Sequence, residues 1–368
     1  MWLYICLMLF FILASCNRGQ SKIKLWIGGL ILFVLMGFKN SSVGNDTPNY
    51  IELFNRLKRM SSVIDPTSRF EKGYQVYNKL LGHFFDNYQV LFIITAAICI
   101  GCMLYGISKN SKNWMYSLFL LIGFRFYYFF LSGLRQSIAV SIVFVAYTFL
   151  EKKKVIPYIA LIVLATTFHF SAFIFIFAWP LSKMKVNQES VTKLLGGICI
   201  IYVFFASLFS WALSKLPVYY SGYLLTDATS TNNVADFIGA IIPSIFLLFA
   251  YSINYVRRTN YTNTLLMEEY GIEEYSLSNS NPDMQIFFML IAGGLSLVAT
   301  RASILDRMVQ YYWIFSICTI PNMIFSIEDD RKRTVWFLVI SVFVMAYNII
   351  LLIYRPEWNT VVPYKFCW

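Results

Sequence analysis

Charge is what this sequence has least of. Only 13% of its 368 residues are Asp, Glu, Lys or Arg, and 58% are hydrophobic. A soluble domain carries about twice that share of charge, so a water-facing globular enzyme is excluded. No soluble domain and no internal repeat interrupts the apolar runs. The sequence has no phosphate loop, dinucleotide fingerprint or HExxH pattern, so neither nucleotide nor zinc-hydrolase chemistry is indicated. Cysteine supplies no framework. Of the seven, Cys99 and Cys102 make a CxxC inside an apolar run, without a second pair or a nearby His. That spacing reads as core packing rather than a metal or redox site.

What is present is aromatic and basic: 34 Phe, 25 Tyr and a net charge of +11. In a soluble protein such a charge would suggest nucleic acid. Here Lys and Arg lie mainly in short connections between apolar runs, where membrane topology places them, so no nucleic-acid partner is expected. Some of them also suit anionic lipid or a substrate phosphate.

The fold class expected is an all-α polytopic membrane protein with about ten transmembrane helices, one broken-helix hairpin and outer-face amphipathic helices. The whole chain, 1–368, reads as one integral membrane domain. Residues 1–16 end in Leu13-Ala14-Ser15-Cys16 but lack a leading basic segment, and read as a retained first helix with its N-terminus outside. The second helix is 25–38. Residues 39–88 form the longest polar region, an outer loop. Within it Tyr50, Leu53, Phe54 and Leu57, then Phe70, Tyr74, Tyr77, Leu81 and Phe84, recur at helical spacing. Two amphipathic helices resting on the membrane surface or on the bundle are expected, with Arg56, Lys58 and Arg59 facing water or headgroups. Further helices are read at 89–107, 114–130 and 136–150, before the basic turn at 151–154.

Residues 155–179 pose a parity problem. Taken as one span, they put Lys183, Lys185 and Lys193 outside. Taken as two half-helices meeting near His169, they start and end inside. Each half, about a dozen residues or ~18 Å, is too short to cross alone. A broken hairpin of this kind is tolerated where protein or a wet cavity surrounds the turn. Downstream, helices are read at 194–213, 237–256, 285–300, 308–327 and 334–354. An outer loop is read at 214–236, a cytoplasmic one at 257–284, and an outside tail after 355.

Under this topology Asp46, Glu71, Arg125, Arg135, His169, Arg301, Asp306 and Arg307 all fall on the outer side. Ionisable residues at membrane depth are costly and point to function. Arg offers a permanent charge and a planar donor fork suited to phosphate oxygens. Arg135, Arg301, Arg307 and Arg125 are therefore the candidates for holding a pyrophosphate. His169 titrates near neutrality and is a candidate general base, with Asp46, Glu71 or Asp306 as alternatives or as its orienting partner. The bland readings stand beside these. Arg125 at a helix end can snorkel to headgroups, Asp306 can clamp Arg301 or Arg307, and His169 can bond backbone freed by the helix break.

Gly133-Leu134-Arg135-Gln136-Ser137-Ile138-Ala139, a basic turn, then Phe168-His169-Phe170-Ser171-Ala172 resembles the EpsG family. Two shorter stretches extend the resemblance. One is Gly44-Asn45-Asp46-Thr47-Pro48-Asn49-Tyr50 with Phe70-Glu71-Lys72-Gly73-Tyr74. The other is Asp306-Arg307-Met308-Val309-Gln310-Tyr311-Tyr312 with Pro321 beyond it. Together they cover about residues 40–325. The resemblance implies a Wzy-like glycosyltransferase of capsule or exopolysaccharide synthesis, multi-pass in the bacterial cytoplasmic membrane. Such enzymes join oligosaccharide repeat units carried on undecaprenyl pyrophosphate, at the outer face, with lipid pyrophosphate as leaving group. It further implies membrane lipid, a chain-length regulator and a flippase as partners. The scheme needs no cofactor and no metal, because Arg takes the metal's charge role. Tyr219, Tyr220 and Tyr223 are candidates to stack on sugar rings, with packing as the equal alternative.

Two other classes use similar residues. A lipid-linked oligosaccharide flippase would also hold pyrophosphate with Arg, but predicts inverted repeats and midplane polar sites. A polysaccharide O-acetyltransferase would need an acyl-donor route from the cytoplasm, which the outer position of His169 opposes.

Overall fold

The structure is a computed structural model. It describes residues 1–16, 20–184, 188–205, 207–208, 211, 233–253, 282–301 and 305–368. Among these the chain is helical, and its only pairing of extended backbone is an isolated bridge between Lys39 and Phe366. It forms two compact units, Met1–Phe173 with Ile320–Trp368, and Ile174–Thr319.

The first unit contains nine helices from the N-terminal part of the chain: α1 (Trp2–Ser15), α2 (Lys22–Gly37), α3 (Thr47–Arg59), α4 (Lys72–Phe84), α5 (Gln89–Asn110), α6 (Trp114–Gly123), α7 (Phe126–Ser132), α8 (Leu134–Glu151) and α9 (Val155–Phe168). The long helix Asp330–Tyr354 joins them. Among the described residues, three helices are long and apolar enough to cross a membrane: α5, α8 and Asp330–Tyr354. α8 is the central one. Protein covers 78% of its apolar window, against 56% for α5 and 39% for Asp330–Tyr354. α2 and α8 pack on α5, α9 packs on α8, and α1 packs on α6. Shorter apolar helices, α1 and α9 among them, accompany these. The molecule is a helical membrane protein.

The two amphipathic helices expected in the polar region are α3 and α4, and they pack on each other. On α3 the apolar face expected from spacing is the buried one, Tyr50, Leu53, Phe54 and Leu57. On the basic side Arg56 pairs with Asp65 at 3.2 Å and Lys58 with Asp86 at 2.5 Å. On α4 the spacing misleads at both ends. Phe70 precedes the helix and Phe84 is 69% exposed, while Tyr74 and Leu81 are buried as expected. α4 lies against α9 because Gly73 has no side chain. A Cβ there would lie 2.7 Å from the Thr167 carbonyl oxygen.

The helix expected across 114–130 is broken. α6 and α7 meet at an angle of 60°. Arg125 stands at the break in left-handed backbone, φ 68°, which a non-glycine residue rarely adopts. The carbonyls of Ile122 and Gly123 near the break accept from Asn348 Nδ2 at 3.2 and 3.4 Å. That pairing helps satisfy backbone carbonyls at the break from within the protein, as a membrane helix requires. The single helix expected across 308–327 is also interrupted, as Asp306–Trp313 and Ser316–Phe325.

The chain leaves helical geometry at His169, where the backbone is extended (φ −152°, ψ 117°), and continues as a 3-10 helix, Phe170–Phe177. A break at this residue is what the two-half reading of 155–179 requires. The tail after Tyr354 folds back on the first unit. Asn40 N donates to Lys365 O at 2.9 Å, Gly44 N to Thr360 O at 3.0 Å, and Tyr364 Oη to Leu35 O at 2.7 Å.

In the second unit, helices Gln188–Val203 and Asn233–Ser252 pack on Pro282–Ala299. Its aromatic core has Phe175 stacked on Phe315 at 5.4 Å with Phe288 and Tyr312 around them. Most of the 214–236 loop, with Tyr219, Tyr220 and Tyr223, and nearly all of the 257–284 loop lie outside the described residues.

Candidate functional site

Glu71, Arg135 and His169 come together in the first unit. They arrive from three places: the residue capping α4, the first turn of α8, and the extended residue after α9. A cation in the first turn of a helix opposes the helix dipole, so Arg135 gains nothing from α8 itself. Its compensation is Glu71, whose Oε2 forms a close ion pair with Arg135 Nη1. The other oxygen, Oε1, lies 3.2 Å from His169 Nδ1 and accepts from Phe170 N at 3.3 Å. One carboxylate thus meets an arginine, a histidine and a backbone amide. Side-chain exposure is 11% for Glu71, 16% for Arg135 and 8% for His169, so the ion pair and the imidazole contact are held largely away from water.

The neighbours restrain the trio further. The Arg135 guanidinium lies over the Phe70 ring at 5.0 Å and shares a hydrogen bond with the Tyr50 hydroxyl. Burial pushes the Tyr50 phenol up to about 12, with Arg135 opposing and Asp46 and Glu71 adding to the rise. Burial acts to raise the Glu71 carboxyl as well. The close approach of His169 and the charge of Arg135 outweigh it and hold the group at about 2. Glu71 is therefore held as an anion.

His169 Nε2 lies 3.1 Å from Gln136 Oε1. The pairing with Glu71 calls for N–H at Nδ1. At Nε2 the Gln136 amide meets either a donor or an acceptor, according to which of its ends is turned inward. Gln136 is therefore compatible with both protonation states of the ring. It stood in the sequence motif next to Arg135 without a role. Tyr50 and Phe70 were read as parts of apolar faces and of the family-like stretches, without a role in the site. Gln136 adjoins Arg135 and Phe70 adjoins Glu71 in sequence, but the contacts of all three are visible only once the helices are placed.

The remaining candidates have surroundings of their own. Asp46 is exposed at the start of α3. Arg125 engages the tail. Its Nη2 donates to Asn359 Oδ1 at 3.2 Å, and its guanidinium lies near the rings of Tyr128 and Trp358 at 5.4 and 5.7 Å. Arg301 and Arg307 belong to the second unit. Arg301 is exposed, with its guanidinium 4.7 Å from the Tyr202 ring, and Arg307 is the second residue of helix Asp306–Trp313. Cys99 is buried in α5, as packing predicts.

Chemically, the cluster joins a polarisable imidazole, a fixed carboxylate behind it and a guanidinium with several donors. It can hold an anion and move a proton within a few ångströms of each other. Comparison with known protein families gives a match to the EpsG family over residues 22–366. No curated protein and no solved structure matches the chain.

Proposed function

The chain belongs to the EpsG family, and from that premise we propose that it polymerises polysaccharide repeat units carried on undecaprenyl pyrophosphate. The reaction is placed at the outer face of the bacterial cytoplasmic membrane. An acceptor hydroxyl on the incoming unit attacks the anomeric carbon of the growing glycan. A new glycosidic bond forms, the bond from that carbon to the phosphate oxygen breaks, and lipid pyrophosphate leaves as the anion. The acceptor proton passes to His169.

In this scheme Glu71 fixes the imidazole through Nδ1, leaving Nε2 as the proton-accepting atom. Gln136 holds that nitrogen until the acceptor hydroxyl takes its place. Arg135 keeps one donor on Glu71 and offers others to the pyrophosphate, whose charge grows as the bond breaks. Removing one such donor costs on the order of 100-fold or more in rate. Arg301, Arg307 and Arg125 are proposed as further contacts to the anionic lipid headgroup, and Asp46 as an acidic neighbour of the acceptor. The observation that carries the reading is the single buried carboxylate shared by Arg135 and His169.

The test is surface glycan length on a gel. A deletion strain is complemented with wild type, Arg135→Ala or His169→Ala, and protein level in the membrane is checked. Single repeat units with both variants support the reading. Long polymer with both variants removes these residues from the site. Loss of all outside glycan in the deletion strain points to a flippase, and full-length but unmodified polymer to an acetyltransferase.

A further inference from the structure

Lys39 follows α2 and is fully buried, 0% exposed. Its Nζ donates to the Val43 carbonyl at 2.7 Å, the Thr47 hydroxyl at 2.6 Å and the Leu131 carbonyl at 2.7 Å. The ring of Phe92 on α5 lies 4.6 Å from it. All three acceptors are neutral. A buried ammonium without a counter-ion is costly, so its retention calls for a reason.

The reason is where those acceptors lie. Thr47 opens α3, three residues before Tyr50. Leu131 is in the last turn of α7, four residues before Arg135. Between them, Gly44 takes φ 96° and presses against Ser132, and Asn45 N donates to Ser132 Oγ at 3.1 Å. Lys39 therefore ties together the two segments that deliver Tyr50 and Arg135 to Glu71. We propose that Lys39 is a positioning residue whose three-fold ammonium clamp sets Arg135 and Tyr50 against Glu71. The proposal rests on the polymerase reading for its activity assay.

The clamp depends on charge. An ammonium has three donors, whereas the neutral amine has two and turns a lone pair toward the third oxygen. Burial pushes Lys39 down from 10.5 to about 7. The titratable and charged residues on the elements around it include Asp46 and Tyr50 on the loop and α3, Tyr88 at the start of α5, Arg125, Tyr127 and Tyr128 at α7, and Tyr364, Lys365 and Cys367 in the tail. None of them is among its three acceptors. The clamp opens as pH rises above neutrality.

The experiment uses the full chain in liposomes supplied with lipid-linked repeat units, assayed from pH 6 to pH 9. It compares wild type, Lys39→Arg (charged throughout this range) and Lys39→Met. The wild-type rate is expected to fall about tenfold or more toward pH 9. Lys39→Arg is expected to fall less than about twofold over the same range, and Lys39→Met to be slow at every pH. In parallel, amide exchange of peptides covering 43–47 and 131–135, corrected for its intrinsic pH dependence, is expected to quicken with pH in wild type but not in Lys39→Arg. An alkaline fall shared by Lys39→Arg overturns the proposal, as does wild-type activity in folded Lys39→Met. If wild type makes no polymer at any pH, the polymerase reading fails. The exchange data then decide alone: protection in wild type that is unchanged from pH 6 to pH 9 overturns the clamp.

Discussion

Replacing Glu71 by Gln removes one charge and almost no volume. In the folded protein the Glu71 carboxyl is held at about 2 instead of its ordinary 4.5. That difference corresponds to about 3 kcal/mol favouring the charged form. Glu71→Gln forfeits this and leaves the Arg135 guanidinium buried without its partner, so a loss of about 3 kcal/mol is expected. Arg135→Met strands Glu71 in the same way and is expected to cost about 3–5 kcal/mol, the usual range for breaking a buried pair from one side. The double variant strands neither. Its loss should fall short of the sum of the two singles by about 3 kcal/mol. The assay is reversible unfolding of the purified full chain from mixed micelles, with the four proteins compared at pH 7. Single losses that add to within about 0.5 kcal/mol would show that the two groups do not interact, and would refute the pairing. Surface glycan is read in parallel: the double variant should be no less stable than Arg135→Met while still leaving single repeat units.

The remaining predictions concern neighbouring contacts. Because the Glu71 value is depressed, its stabilisation is fully present above pH 4.5 and is lost as pH falls through about 2. Glu71→Gln should therefore lack that part of the acid-induced destabilisation measured in wild type. Gln136→Ala should leave the protein folded but shift the pH profile of polymerisation, because His169 Nε2 loses its partner; an unchanged profile would count against that contact. Gly73→Ala places a Cβ 2.7 Å from the Thr167 carbonyl oxygen, so α4 must lift from α9. Polymer length should drop while protein level in the membrane is kept. Asn348→Leu leaves the Ile122 and Gly123 carbonyls without their side-chain donor at the α6–α7 break. It should cost about 1–3 kcal/mol in the same unfolding assay. Arg125→Ala releases Asn359 and Trp358, and limited proteolysis should then reach the tail after Tyr354 sooner than in wild type.

Much of this was legible before any coordinates. Long apolar runs with scarce charge dictate membrane helices, because only a helix satisfies its own backbone in lipid. The spacing of Tyr50, Leu53, Phe54 and Leu57 marked the face that α3 buries. His169 within an apolar run marked both a break and a candidate site. Arg135 stood out for the same reason, a charge where charge is costly.

Other features depended on contacts between residues far apart in the chain. Nothing near Arg125 in sequence says that the helix breaks there; Asn348, more than two hundred residues later, satisfies the carbonyls that make the break tolerable. Nothing in the motif assigned Glu71 to Arg135 rather than leaving it one of several acidic residues on the outer side. Gln136 looked like a helix residue until His169 was seen beside it. Lys39 looked like one more basic residue at the end of a helix. Only the folded chain shows it buried, between two segments that sequence separates by about ninety residues. The sequence by itself determined the solvent this protein lives in, its helical class and the residue types of its site, because hydropathy and period are local. The pairing of Glu71 with Arg135 and His169, and the tying of α3 to α8, were decided by tertiary structure. Each rests on desolvation and hydrogen-bond geometry, which exist only when distant residues meet.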